Sequence, residues 1–459
     1  MANGTTNINR TFGSPTNNLK WTWSAWIKVT QTQEQGLFHG YVDASNYAQI
    51  ELSDNGQFKF YNHVSGSPAG AIRTSAYLRD PSLWYHLVFV FDSAQATDTN
   101  RLKMYVNGVQ QTGDLITSIT YPTQDTVSKI NGAWLHQVGM KLGGYGFAGY
   151  MSNVHFCDGQ AYAASDFGET DSTSGIWKIK TNPSVTYGNN GYFLKMEDST
   201  NMDLDSSSNA ATFATTGTLN LSKDNPSNSF CNWNSRSSGL NDFSSCSLSS
   251  GGLKWVSTSY RRQAIGTLPI GKGKWYWEVY LDNGNQPQIG VADSALMNNF
   301  VDVEVGSSTS YRHGLYYVYS SWNGSSGTGA VYLGIAAGFN NAYAIWTTGD
   351  YLGIAYDGDT GKCWMSKNGT FVDDENGNTP NVASGTYPIF TTPISDTMLP
   401  WNGGFGSDSS RTASWNFGGG YFGTTVAGTE DDEGGEGLFK YNPPSGFRTL
   451  CTKNVKDYG

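Results

Sequence analysis

Along the chain, apolar and polar positions alternate with a period of two in short runs. WTWSAWIKV (Trp21–Val29), QFKFY (Gln57–Tyr61), LKMYV (Leu102–Val106), KWYWEVYL (Lys274–Leu281) and YLGIAY (Tyr351–Tyr356) are such runs. Between them stand turn-forming pairs, among them Asn55-Gly56, Asn107-Gly108, Asp158-Gly159, Asn368-Gly369 and Asn402-Gly403. Asn and Asp tolerate positive φ, and glycine reaches it without a Cβ clash, so these pairs suit two-residue hairpin turns. No stretch of a dozen residues keeps apolar positions at i, i+3, i+4 and i+7. The pattern predicts an all-β chain of short antiparallel strands.

The same pattern divides the chain. A strand-rich section covers residues 1–196. A Ser-, Asn- and Thr-rich stretch, 197–229, reads as a polar connector with short strands. A second strand-rich section covers 230–425, and residues 426–459 read as an acidic, glycine-rich loop and tail. Each section carries a strand, an Asn-Gly turn and a returning strand late in its course: RLKMYVNGVQ (Arg101–Gln110) and GKCWMSKNGTF (Gly361–Phe371). Two tandem antiparallel β-sandwiches, each with its own core, account for the repetition.

Alternation also sorts individual aromatic residues. In WTWSAWIKV one face carries Trp21, Trp23, Ala25, Ile27 and Val29, a core stripe. Trp26 falls on the other face with Thr22, Ser24 and Lys28, either beneath a loop or on open surface. YRHGLYYVYSSWNGSSG (Tyr311–Gly327) is too aromatic for one buried face, so Tyr317 and Tyr319, or else Tyr316, are expected to look outward. Trp322 directly precedes a turn, and Trp401 sits in glycine-rich LPWNGGFG (Leu399–Gly406), a context that disfavours a central strand. A flat indole or phenol on such a loop loses little rotamer entropy on binding and offers a stacking face for a sugar ring or a protein anchor. Trp322 and Trp401 are therefore the first candidates for ligand binding, supported by Tyr317 and Tyr319, with Trp26 as the candidate on the first section.

Composition narrows the partners. Of 459 residues only 14% are charged, 14% are aromatic, and 56 are glycine, whereas a typical soluble protein is about 25% charged. The formal charge of −10 and the scatter of the basic residues argue against nucleic acid, which needs a basic stripe. No apolar run approaches the roughly 20 residues of a membrane-spanning helix, so no membrane insertion is expected. The opening MANGTTNINRTFG lacks a basic and then apolar leader, so no secretory signal is expected. Cys157, Cys231, Cys246, Cys363 and Cys451 are widely spaced, without a CxxC pair. They read as free structural thiols made in a reducing cytoplasm.

Catalytic pairings are missing. Glycosidic cleavage needs two carboxylates about 5–10 Å apart. The nearest arrangements are Asp302 and Glu304 in VDVEV (Val301–Val305), which lack the third acid of an ExDxxE strand, and the acids of MEDSTNMDLD (Met196–Asp205). No GxSxG elbow occurs, and His39, His63, His86, His136, His155 and His313 are isolated. A non-enzymatic protein is expected. Calcium is the one cofactor kept open, because Glu430, Asp431, Asp432, Glu433 and Glu436 crowd one glycine-rich run. Their spacing is not that of an EF-hand, and a solvated, mobile acidic loop is the simpler expectation.

Several segments carry a resemblance. WTWSAWIKV, WYHLVFVFD (Trp84–Asp92), LKMYVNG (Leu102–Gly108) and GYMSNVHFCDGQA (Gly149–Ala161) resemble the laminin-G-like, concanavalin-A-like jelly roll. KGKWYWEVYL (Lys272–Leu281), QIGVAD (Gln288–Asp293), GDYLGIAYDGDTGKCWMSKNG (Gly349–Gly369), YPIFTT (Tyr387–Thr392) and ASWNFGG (Ala413–Gly419) resemble the SPRY sandwich. ASDFGETDSTSGIWKIK (Ala164–Lys180), DNPSNSF (Asp224–Phe230) and YNPPSGFRTLCTKN (Tyr441–Asn454) extend the likeness. In combination they resemble virion-associated proteins of tailed, especially marine, phages. The resemblance implies a tail-fibre or appendage subunit that recognises a host-surface glycan or protein. A capsid decoration or head-fibre protein is the alternative, and a glycan-active enzyme is less favoured. It further implies other virion proteins as partners, a homo-oligomer (a trimer by analogy with phage fibres), and a place on the virion surface after assembly in the host cytoplasm. In SPRY-like domains, loops at one end of the sandwich bind the partner, which is where Trp322 and Trp401 are expected.

Overall fold

The computed structural model describes residues 6–31, 33–235, 246–257, 263–283, 287–294, 313–317, 329–333, 340–343, 346–374, 376–404 and 411–459. The chain is all-β, with one short helix, Thr452–Tyr458, among the described residues. It divides into two compact units, residues 1–221 with 225–227 and residues 222–224 with 228–459.

The first unit is a sandwich of two antiparallel sheets. Its strands in chain order are β1 (Asn7–Thr11), β2 (Lys20–Val29), β3 (Gln35–Asp43), β4 (Asn46–Leu52), β5 (Gln57–Val64) and β6 (Ser67–Tyr77). Next come β7 (Trp84–Asp92), β8 (Leu102–Val106), β9 (Val109–Gln110), β10 (Ile116–Thr120), β11 (Leu135–Val138), β12 (Met140–Lys141) and β13 (Tyr145–Gly146). The last are β14 (Gly149–Asp158), β15 (Gly168–Thr170), β16 (Trp177–Ile179), β17 (Tyr192–Leu194) and β18 (Ala214–Thr216). One sheet has the order β10-β6-β5-β4-β3-β11-β1-β18 and the other β17-β14-β2-β7-β8-β9. The facing sides meet as predicted: Trp21, Trp23, Ala25 and Ile27 of β2 are buried against Phe58 and Phe60 of β5 and Leu87, Phe89 and Phe91 of β7. Trp21 touches the rings of Phe60, Phe89, Phe91 and Phe156 at 5.3–5.9 Å. The β8–β9 hairpin turns at Asn107-Gly108, both at positive φ (48° and 82°). A Cβ on Gly108 would also fall 2.5 Å from the Trp177 ring.

That ring belongs to a second layer on the outward side of the six-stranded sheet. Val88, Val90, Tyr105, Cys157, Ala164 and Phe167 form a small cluster there, with Trp177, Val185 and Tyr187 against it. On the same outward side Trp26 is 4% exposed and stacked on His86 at 4.9 Å. The Trp177 indole N–H can only donate, and it reaches His86 Nδ1 at 3.0 Å. The imidazole therefore carries its proton on Nε2 and donates to Ser24 Oγ at 2.9 Å. Full burial pushes the His86 pKa down to about 3, so the ring stays neutral.

In the second unit the strands continue as β19 (Cys246–Ser249), β20 (Lys254–Ser257), β21 (Gln263–Ile265), β22 (Lys274–Asn283), β23 (Pro287–Asp293) and β24 (His313–Tyr317). Then come β25 (Gly329–Leu333), β26 (Asn340–Tyr343), β27 (Tyr351–Asp357), β28 (Lys362–Lys367), β29 (Thr370–Phe371) and β30 (Phe390–Thr391). The series closes with β31 (Met398–Gly404), β32 (Arg411–Asn416), β33 (Tyr421–Phe422), β34 (Thr425–Val426) and β35 (Arg448–Thr449). One sheet runs β19-β20-β32-β22-β27-β28-β29 with β30 and β35 attached, the other β21-β31-β23-β24-β25-β26. The core holds Trp233, Trp255, Trp275, Trp277, Trp346 and Trp415, all but fully buried.

Residues 197–221, read as a polar connector with short strands, are tied down by more than composition shows: Ala214–Thr216 pairs with β1, and buried Asp205 accepts the backbone N–H groups of Phe193, Ser207 and Ala211 at 2.8–2.9 Å. The acidic run after residue 428 does not form a solvated loop. Asp432, 5% exposed, accepts the N–H groups of Glu436, Gly437 and Thr449 at 2.8–2.9 Å. Beyond it β35 adds in parallel to β22, and Phe439 and Phe447 pack on Tyr276 and Trp364. A carboxylate that takes several backbone donors substitutes for regular pairing, so glycine-rich polar chain becomes fixed.

Candidate functional site

The outward side of the eight-stranded sheet in the first unit carries an ordered set of polar and aromatic side chains. It follows from alternation: Ala48, Ile50 and Leu52 of β4, Phe58 and Phe60 of β5 and Ile72 of β6 point to the core. Their neighbours Tyr47, Gln49, Glu51, Lys59, Tyr61, His63, Ala71 and Arg73 must then point outward. Register aligns these in rows. Tyr41, Tyr47 and His63 stand opposite one another across β3, β4 and β5. Gln49, Tyr61 and Ala71 form the next row, and Glu51, Lys59, Arg73 and Ser118 the third.

A hairpin bounds this face at β3. A Cβ on Gly36 would fall 2.1 Å from the backbone of Met140 and Lys141, so only glycine lets β12 lie directly on β3. From there Lys141 reaches Glu51 at 3.0 Å and Glu34 at 2.7 Å. Lys59 reaches the other oxygen of Glu51 at 2.6 Å and lies 4.2 Å above the Tyr61 ring. Glu51 is fully buried between the two lysines, an arrangement tolerable only because both are present. Gln49 donates to Glu51 at 2.6 Å, which aims its amide oxygen away from the pair. That oxygen is buried without a hydrogen-bond partner, as is Nε of Arg73. Tyr47 and His63 stack at 4.6 Å, and burial of the imidazole lowers its pKa, favouring the neutral ring at neutral pH.

Rigid phenols beside fixed amide, ammonium and guanidinium groups suit a sugar. The rings stack on its apolar face, and the polar groups take its hydroxyls. The same unit has a cleft of about 440 Å³ lined by Ile72, Leu102, Gln111, Ile116, Thr117 and Tyr121 among others. Its lining carries no charge.

The sequence-predicted residues lie elsewhere. Trp26 is buried and stacked on His86, which removes it from the surface. Trp401 is also buried, 1% exposed, because β31 is a paired strand with β21 and β23 on either side rather than a glycine-rich loop. Tyr317 ends β24, while Trp322, Tyr319, Asp302 and Glu304 lie outside the described residues. Among the described residues no three His, Cys, Asp or Glu side chains come together to hold a metal. Of the acids considered for calcium, Asp432 is turned to backbone amides, Glu433 to the Gly446 N–H, and Glu436 to Lys453 and Asn228. Among the described residues Glu278 is the carboxyl pushed up to about 7, by burial. It accepts Lys440 and Tyr441 N–H at 2.8 Å and Tyr276 Oη–H at 3.2 Å, so it clasps the tail and faces no cavity. Cys157, Cys231, Cys363 and Cys451 are buried free thiols.

Residues 3–164 match the family model described as the Concanavalin A-like lectin/glucanases superfamily. The first unit thus has a laminin-G, concanavalin-A-like lectin fold. No curated protein matches the chain. Among solved structures, the SPRY domain of human HERC1 is similar at 14% identity, covering 37% of this chain and 91% of that one, with a TM-score of 0.26. A putative carbohydrate binding protein from Bacteroides ovatus is 15% identical over 47% of this chain and 58% of its own, with a TM-score of 0.30. Mouse laminin alpha1 chain domains LG4-5 are 9% identical over 90% and 88%, with a TM-score of 0.28.

Proposed function

We propose that the chain is a non-enzymatic glycan-binding protein on the surface of a tailed phage, a tail-fibre or appendage subunit, and that its first unit binds sugar through the outward face of the eight-stranded sheet. The observation that carries the binding role is the row structure of that face, in which Tyr47, Tyr61, Gln49, Lys59 and Arg73 are held side by side on rigid strands. The lectin-type fold of the unit agrees with it. The virion role rests on the resemblance of Ala164–Lys180, Asp224–Phe230 and Tyr441–Asn454 to virion-associated proteins, with capsid decoration as the alternative position. Weak single-site contacts suit such a particle, because many copies, as in a homo-oligomeric fibre, turn them into firm attachment. Assembly in a host cytoplasm accords with buried free thiols.

The test has two arms. A glycan panel probed with the full chain should yield binders that Tyr47→Ala with Tyr61→Ala removes while the melting midpoint holds. Antibodies against the chain should label the particle surface, at the tail for a fibre or over the head for a decoration protein. A panel without binders would end the sugar-binding reading, and unlabelled particles would end the virion reading.

A further inference from the structure

Charge on the outward face is not balanced. Lys59 and Lys141 share Glu51, and Lys141 also holds Glu34. These four form a closed network. Arg73 stands next to Lys59 in register, yet among the described residues it has no ion pair and no hydrogen bond, and its Nε is buried. Burying part of a guanidinium with no acceptor is costly unless something supplies one. Its strand neighbours are Lys59 on one side and Ser118 on the other, so no carboxylate of the sheet stands beside it.

Geometry extends this to a ligand. Arg73 and Gln49 sit two strands and one row apart, roughly 12 Å at ordinary strand spacing and rise, with Tyr61 on the strand between them. Ala71 follows Tyr61 in the same row, leaving a step next to the phenol. A saccharide stacked on Tyr61 therefore has an unmet donor at one end, the Arg73 fork, and an unmet acceptor at the other, Gln49 Oε1. We infer that this face selects an acidic saccharide, whose carboxylate or sulfate ester is held by Arg73 while a hydroxyl of a neighbouring ring donates to Gln49. The planar guanidinium takes two oxygens of one anionic group at once, which a lysine at this position would not do. The inference rests on the sugar-binding reading above and adds the ligand's charge to it.

The experiment measures equilibrium binding of the full chain to paired probes. Oligosaccharides of glucuronate, mannuronate and galacturonate are compared with their carboxyl-reduced forms, and a sulfated galactan with its desulfated form. At least one acidic probe should bind tenfold or more tighter than its neutral partner, with the preference shrinking as salt rises. The pair that shows it distinguishes carboxylate from sulfate. Arg73→Gln should abolish the preference and Arg73→Lys should restore only part of it, both with unchanged melting. Equal binding of acidic and neutral partners, or a preference that survives Arg73→Gln, would overturn the acidic ligand and leave sugar binding intact. Binding to neutral members of the glycan panel alone would do the same. Failure of every glycan, acidic and neutral, would defeat both.

Discussion

Glu278→Gln should flatten the pH dependence of the second unit's stability between pH 5 and 8. In the native protein Glu278 is fully buried. Its four donors are two backbone amides, the Asn416 amide and the Tyr276 hydroxyl, none of which brings a positive charge to offset desolvation. The carboxyl is accordingly raised from its ordinary 4.5 to about 7, equivalent to about 3 kcal/mol between protonation states. The folded state holds the proton more tightly than the unfolded chain does. The stabilisation is thus complete below about pH 4.5 and is lost as pH rises through about 7. Between pH 5 and 8 the loss comes to about 2.5 kcal/mol. For a unit of this size that is a fall of about 5–10 °C in melting midpoint. Glutamine cannot ionise, so the variant keeps one midpoint across the range. Its midpoint lies below that of the acidic wild type, because its NH2 faces the Lys440 or the Tyr441 N–H. The assay is calorimetry of the full chain at half-unit pH steps, following the transition of the second unit. A wild-type midpoint that does not fall between pH 5 and 8, or a Glu278→Gln protein with the same slope, would refute the reasoning.

Other expectations follow from the same contacts. Trp401→Ala and Trp26→Ala should each cost about 3–5 kcal/mol as buried large-to-small changes, read by denaturant titration. Neither should alter glycan affinity at temperatures where the protein is folded. Asp432→Ala leaves three buried amides without their acceptor, so it should destabilise the second unit by at least about 3 kcal/mol; limited proteolysis should then cut between residues 428 and 451, a segment that resists cleavage in the wild type. Burial raises the pKa of Cys157, Cys363 and Cys451, so a thiol reagent at pH 8 should leave all three unmodified until the chain is unfolded, as followed by mass spectrometry. Gly36→Val should displace the β12–β13 hairpin, separate Lys141 from Glu51 and weaken glycan binding, as measured by titration.

Period-two alternation made the core legible from sequence. It placed Trp21, Trp23 and Ile27 on one side of β2, and Trp275 and Trp277 on one side of β22, before any partner strand was known. QFKFY alternates in the same way, so Lys59 and Tyr61 share one side of β5, although nothing in the run marks that side as a binding face. What alternation cannot supply is the neighbour: that Gln49 lies across from Tyr61, and Arg73 next to Lys59, depends on register between strands. Trp26 and Trp401 misled for the opposite reason. Trp26 is on the polar side of its strand, yet it is buried against His86, which Trp177 meets from far along the chain. Trp401 is flanked by proline and glycine, a turn-like local context that pairing with β21 and β23 overrides. The tail was misjudged because composition reports charge, not acceptor geometry; Asp432 and Glu278 turn polar segments into packed ones through backbone amides.

The central claim is that sugar sits on the outward sheet face of the first unit, and covalent footprinting of tyrosines with and without glycan tests it most directly. With the tightest binder from the glycan panel present, Tyr47 and Tyr61 should be protected from modification while exposed Tyr387 and Tyr458 react as before. Protection confined to tyrosines of the second unit, or unchanged reactivity of Tyr47 and Tyr61 at saturation, would contradict it.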